Sequence, residues 1–302
     1  MVRSRRTLQP PHVVFGNHPE AHRTIFRASA SFIDRLARLA APFLVDEGAT
    51  HIDHRSQVAI ALRHMTVSRY VNSLINALTT PNVVAHFVRW PTTDAARTET
   101  ADTFSFSDIP TVDGSLIRID TPAIDAPDFW TRHGTRQCYL NLVVVVDGFG
   151  RCMFADAQWP GSCHDSHVWR QSTARAYEFG RAATTHVILG DAGFANDKLI
   201  MAAYRAGATT QQRRFQALHS HARSVVENYF GARFRILQNG IRLDTDRAPK
   251  VVIACVVLNN MLYAWGEAPL PNPRNPRSGP SIQLSPAPPN HPDPRDYYTQ
   301  QC

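Results

Sequence analysis

The chain has no long apolar run, no paired cysteines and no strong charge of either sign, and each absence narrows what it can be. Its longest apolar stretches, Leu142 to Val146 and Val251 to Leu258, fall far short of the ~20 residues that a bilayer span requires, so no transmembrane helix is expected. Arg3, Arg5 and Arg6 have no apolar segment behind them, so a secretory signal is not expected either. The five cysteines, at 138, 152, 163, 255 and 302, form no CxxC pair. That pattern fits free thiols in a reducing compartment, and an intracellular location, nuclear or cytoplasmic, is the expectation. Zinc is disfavoured, because Cys163, His164 and His167 have no second ligand pair at a structural spacing.

What is present is a globular composition: 302 residues, 43% hydrophobic and 19% charged, enough for a sizeable core. The net charge of +7 permits a polyanionic partner. Residues 1–25 carry no periodic apolar pattern and read as a flexible basic arm. From 26 to 90 the pattern is helical. Phe32, Ile33, Leu36, Leu39, Ala40, Phe43 and Leu44 recur at three- and four-residue steps. A second helix is expected over Val58 to Met65, and a third after the N-cap Thr66, with Val67, Tyr70, Val71, Leu74, Ile75 and Leu78 on one side.

From 105 to 265 strands appear. Ile109 to Asp120 alternates, and Tyr139 to Val146 faces Cys152 to Ala157 across a Gly-containing turn, the signature of a hairpin. His164 to Tyr177 reads as one helix, Val187 to Leu189 as a short buried strand, and residues 218–237 and 251–263 as helices. Beyond Ala268 the prolines crowd, with 10 of the 21 between Pro269 and Pro294, and residues 268–302 are expected to be a disordered tail. This order points to an α/β core, a mixed sheet with helices on both faces.

Three acids stand in informative places. Asp113 lies inside the first core strand, Asp191 directly follows the strand Val187 to Leu189, and Glu227 sits in the long helix, at separations of 78 and 36 residues. A carboxylate in an apolar strand is costly unless its charge is compensated, and strand ends in α/β sheets are where ligand sites collect. Converging, the three would offer an oxygen-only cage for Mg²⁺ or Mn²⁺. Taken singly, each has a plainer reading: Asp113 and Asp191 as turn residues beside glycines, and Glu227 in a solvated pair with Arg223 at i−4.

The order and context of all three together weigh against those plainer readings. Phe87-Val88-Arg89-Trp90-Pro91, Val112-Asp113-Gly114-Ser115, Tyr139-Leu140-Asn141, Trp159-Pro160-Gly161-Ser162-Cys163-His164-Asp165-Ser166, Leu189-Gly190-Asp191-Ala192-Gly193-Phe194 and Arg223 to Leu237 follow one another as in Harbinger-type transposases of the DDE superfamily. The chain resembles that family over residues of about 25 to 265.

The resemblance implies an RNase H-like core and a metal-dependent endonuclease or transposase-like activity on DNA. In that reading Asp113, Asp191 and Glu227 are the catalytic acids and hold two divalent cations, Mg²⁺ or Mn²⁺. Asp165, in the stretch matching the family's His-Asp-Ser motif, and Arg170 would support them from behind. Arg213, Arg214, Arg233 and Arg235 are candidates for DNA phosphates. A separate Myb-like DNA-binding protein is the implied partner. Departures from the family pattern are Ser115-Leu116 after Asp113-Gly114, the single Ala232 between Gly231 and Arg233, and Asn259-Asn260. A recognition-type helix after Met65 also lacks its preceding helix and turn, which leaves a truncated helix-turn-helix. A captured transposase core that binds DNA or protein without cutting is the alternative from a different class.

Overall fold

A computed structural model describes residues 28–46, 52–64, 69–93, 95–96, 109–131, 136–179, 187–204, 209–232, 234–267 and 294–301. The basic arm 1–25, the Thr66 junction, Arg233 and residues 268–293 of the tail lie outside them. The chain divides into two compact units, 1–84 with 261–270 and 85–260 with 271–302.

The first unit is helical. Helix α1 (Ala30–Ala40) starts where Ser29 Oγ accepts from the Phe32 amide at 3.1 Å, and it buries Phe32, Ile33, Leu36 and Ala40 as their spacing predicts. It stops short of the expected Leu44. Pro42 has no N–H to continue the ladder, and the chain tightens into a 3-10 turn over Ala41–Phe43. Helices α2 (His54–His64) and α3 (Arg69–Leu78) pack with α1. Helix α4 (Pro81–Phe87) follows.

The second unit is built on a five-stranded mixed sheet. Its strands are β1 (Thr111–Ile119), β2 (Cys138–Val146), β3 (Cys152–Pro160), β4 (Ile188–Gly190) and β5 (Ile200–Ala202). They lie in the order β3-β2-β1-β4-β5. The first three run antiparallel as successive neighbours, while β4 pairs parallel to β1 and β5 parallel to β4. The β2–β3 turn is held by Asp147, whose buried carboxylate accepts from the amides of Phe149 and Arg151 at 3.0 and 2.8 Å and from Arg151 Nε at 2.7 Å. Gly150 supplies the positive φ of 87° that the turn needs.

Helices α5 (Asp165–Gln171), α6 (Thr173–Phe179), α7 (Thr210–Ala232), α8 (Arg235–Asn239), α9 (Ala248–Ala264) and α10 (Pro294–Gln301) complete the list. Alternation along the strands sorts the core onto two faces. Val112, Val143, Val145, Ile188 and Ile200 pack with Val168 and Trp169 of α5 and Ala174 of α6. Leu189 and Met201 pack on the other face with Phe215, Leu218 and Ala222 of α7 and Tyr298 of α10.

Three expectations change. The single helix read over His164 to Tyr177 is two, broken at Ser172, whose extended backbone ends α5 while its Oγ accepts from the Arg175 amide at 3.1 Å to start α6. The helix read over 218–237 is α7 and α8, divided around Arg233. At Pro294–Gln301 the expectation of a contact-free tail does not hold. Tyr298 is fully buried, and the Tyr204 hydroxyl lies 3.0 Å from both Asp296 Oδ1 and Thr299 Oγ1. Two large aromatic side chains in eight residues offer this segment the burial that the prolines before it lack.

Candidate active site

The site forms where β1 and β4 run side by side. Thr111 pairs in parallel with Leu189, and the Leu189 amide donates to the Pro110 carbonyl at 2.8 Å. Two residues further along each chain segment stand Asp113 and Asp191, near enough for the charge of Asp191 to act on Asp113. Residues two apart on a strand share a face, so Asp113 falls with Thr111 on the face that α7 covers, where it meets Arg223, and Asp191 stands just past the end of β4. Position 114 points the other way, towards α5.

Asp113 is half-buried and doubly held. Its Oδ1 accepts from the Gly114 amide at 3.0 Å, and its Oδ2 lies 2.9 Å from Arg223 Nη2, with side chains only 15% and 14% exposed. Burial still dominates and pushes its pKa up to about 6; Arg223 and the Gly114 amide pull downward, and the negative charges of Asp191 and Asp165 push further up.

Asp191 leaves the end of β4 in a tight turn. The Gly193 amide donates to its Oδ1 at 2.9 Å and the Phe194 amide to its carbonyl at 3.1 Å, while buried Phe194 anchors the loop in the core. Asp165, the first residue of α5, approaches from the opposite face of β1. Its Oδ1 accepts at 2.7 Å from Asn141 Nδ2, which also donates to the Cys163 carbonyl at 2.9 Å. Burial raises its pKa, Asn141 opposes that, and Asp191 adds to it.

Helix α7 supplies the counter-charge. Arg223 Nη2 meets Asp113 across the site, a partner that the i,i+4 spacing to Glu227 did not disclose. One turn earlier, fully buried His219 donates from Nε2 to the Met201 carbonyl at 3.1 Å and ties the helix to β5. Burial depresses its pKa to about 4. Glu227 lies one turn beyond Arg223 in α7; its side chain is outside the described residues.

Of the sequence candidates, the structure brings Asp113, Asp165 and Asp191 into electrostatic contact. Arg170 is exposed, and its Nε donates to the Ser166 carbonyl of its own helix at 3.3 Å, so Asn141 is the residue that holds Asp165. Arg213 and Arg214 are exposed in the first turns of α7, and Arg235 is exposed at the start of α8. The site roles of Arg223, His219 and Asn141 emerge only from the structure. The four-residue step His219–Arg223–Glu227 is the sequence signal for the first two, and Asn141 is marked only as the end of the Tyr139-Leu140-Asn141 stretch.

Among the described residues no group of three or more His, Cys, Asp or Glu is assembled to hold a metal ion. The donor chemistry fits a divalent cation nonetheless. Asp113 and Asp191 offer the hard carboxylate oxygens that such a cation takes.

Residues 112–260 match the family model of the DDE superfamily endonuclease, and they contain Asp113, Asp165, Asp191, Arg223 and Glu227. This stretch is a DDE superfamily endonuclease domain. The chain is homologous to the Homo sapiens protein named "Putative nuclease HARBI1", 27% identical over 220 residues that cover 69% of this chain and 62% of the relative. The Bos taurus protein of the same name gives the same identity and coverage. "Protein ALP1-like" of Arabidopsis thaliana is 23% identical over 291 residues, covering 81% of this chain and 71% of that one. The chain thus spans about 62% of the length of the first relatives it matches. No solved structure matches it. Among the described residues no helix is long and apolar enough to cross a membrane.

Proposed function

We propose that the protein is a metal-dependent DNA endonuclease of Harbinger transposase descent, which cleaves or transfers phosphodiester bonds. The observation that carries this is the nearness of Asp113 in β1 to Asp191 just past the end of β4, with Asp165 electrostatically coupled to both. The strand order β3-β2-β1-β4-β5, antiparallel on one side of β1 and parallel on the other, supports reading the sheet as RNase H-like.

In this reading Asp113 and Asp191 hold the first of two divalent cations, Mg²⁺ or Mn²⁺, and Glu227 completes the second site. Such cations would supply Lewis-acid polarisation of a phosphate oxygen and a water of lowered pKa, chemistry that would need no separate general base from the chain. Asp113 and Asp191 orient the donors, each fixed by a backbone amide. Asp165 and Asn141 keep the far face of β1 closed at Gly114. Arg213, Arg214 and Arg235 bind phosphates and position the duplex without reading its sequence. A Myb-like partner rests on the family resemblance alone.

The test is nicking of supercoiled plasmid in Mn²⁺ by the purified protein and by Asp191→Asn. Nicking by the wild type that the variant loses by at least a hundredfold supports the reading. Equal nicking by both would remove Asp191 from the chemistry, and no nicking by either would favour the binding scaffold.

A further inference from the structure

We propose that Arg223 is the resident counter-cation of the acid cluster, and that a divalent cation loads the site by displacing the Arg223 guanidinium from Asp113. The inference rests on the metal-dependent reading above. Both oxygens of Asp113 are engaged, Oδ1 by the Gly114 amide at 3.0 Å and Oδ2 by Arg223 at 2.9 Å. The first contact is backbone and stays. The second is a full positive charge on the oxygen that remains for a metal, and both partners are withdrawn from water that would screen it.

The negative charges of Asp191 and Asp165 both act on Asp113, and a carboxylate so placed needs a counter-charge when no metal is bound, since burying unpaired charge is costly. A metal on the same carboxylate would crowd the guanidinium with a like charge, so the two compete for Asp113. The helix itself need not move. His219, one turn before Arg223, anchors α7 to the Met201 carbonyl at 3.1 Å, while the guanidinium ends a long side chain with rotamers to spare. Arg223 thus preserves the cluster when it is empty, at a cost in metal affinity.

The experiment titrates Mn²⁺ into the full chain by calorimetry for wild type, Arg223→Met and Arg223→Lys, and records melting temperatures in EDTA and in Mn²⁺. Arg223→Met, which keeps the bulk and removes the charge, should melt several degrees lower in EDTA. It should bind Mn²⁺ about tenfold more tightly than wild type, with a larger rise in melting temperature on loading. Arg223→Lys should stay near wild type in both. Equal or weaker Mn²⁺ binding by Arg223→Met, with wild type still binding, overturns this inference and leaves the nuclease reading standing. No Mn²⁺ uptake by wild type or variant removes both. Should Arg223→Met not fold, the Arg223 Nε–H resonance of the wild type in a Mg²⁺ titration decides. A saturating shift of that signal is expected, and an unmoved signal alongside measured Mg²⁺ binding overturns the exchange.

Discussion

The Asp165 carboxylate occupies the space that a side chain at position 114 would fill: a Cβ on Gly114 would stand 2.1 Å from Asp165 Cγ. The glycine is therefore a steric requirement of the site. Gly114→Ala must push Asp165 off Asn141 or bend β1, and overpacking of this kind costs about 1–3 kcal/mol. Urea melts of Gly114→Ala, Asp165→Ala and the double variant should show that the cost of the alanine largely vanishes once Asp165 is gone. Additive losses would mean that the clash is relieved elsewhere.

Two buried groups near the site respond to acid in opposite directions. His219 is depressed from 6.5 to about 4, so between those values the unfolded chain takes up a proton that the folded one refuses, and stability is lost as pH falls. Asp113 is raised from 3.8 to about 6, so the folded state binds the extra proton and stability is gained as pH falls through the same window. His219→Gln removes the first effect and leaves the second. The variant should be less stable than wild type at pH 7, with a deficit that shrinks by up to ~3 kcal/mol by pH 4. Denaturant melts at pH 7, 5.5 and 4 measure it, and a constant deficit would contradict the buried neutral imidazole.

Local pattern discloses what depends on local pattern. The valine run and its turn announce the β2–β3 hairpin, and the spacing of Leu218, Ala222 and Val226 announces much of α7. The break at Ser172 is hidden because apolar periodicity continues across it from α5 into α6. Strand β5 is hidden because three buried residues are too few to alternate. Asp113 and Asp191 are legible as acids in strand contexts, but their adjacency depends on the parallel pairing of Thr111 with Leu189, which no spacing along the chain encodes. Arg223 is visible only as a neighbour of Glu227, since its real partner lies 110 residues away.

The C-terminal segment offers a test of how far composition can mislead. Tyr298 is fully buried among Leu189, Met201, Phe215 and Leu218, although the stretch before α10 is dense in proline. Tyr298→Ala should cost about 3 kcal/mol, as large-to-small changes at buried aromatics do. Ending the chain after residue 293 should cost at least as much. A truncated protein that melts with the full chain would return residues 294–301 to the disordered tail that composition predicts.

The arginines divide by exposure, and that division should appear in the salt dependence of DNA binding. Arg213, Arg214 and Arg235 are exposed, whereas the charge of Arg223 is taken up by Asp113 at 2.9 Å. Each phosphate neutralised on a duplex contributes about 0.9 to the slope of log affinity against log salt. Replacing Arg213 and Arg214 by alanine should lower that slope by roughly 1 for each phosphate no longer neutralised, and should weaken binding to all sequences alike. Arg223→Met, measured in EDTA, should leave the slope unchanged, because its guanidinium has no charge to spare for a phosphate while Asp113 holds it. Fluorescence anisotropy on two unrelated duplexes, at salt concentrations from about 50 to about 200 mM where such slopes are steep, supplies both values. A slope that falls with Arg223→Met and not with the exposed pair would place the DNA over the acid cluster itself and reverse the assignment of the phosphate-binding residues.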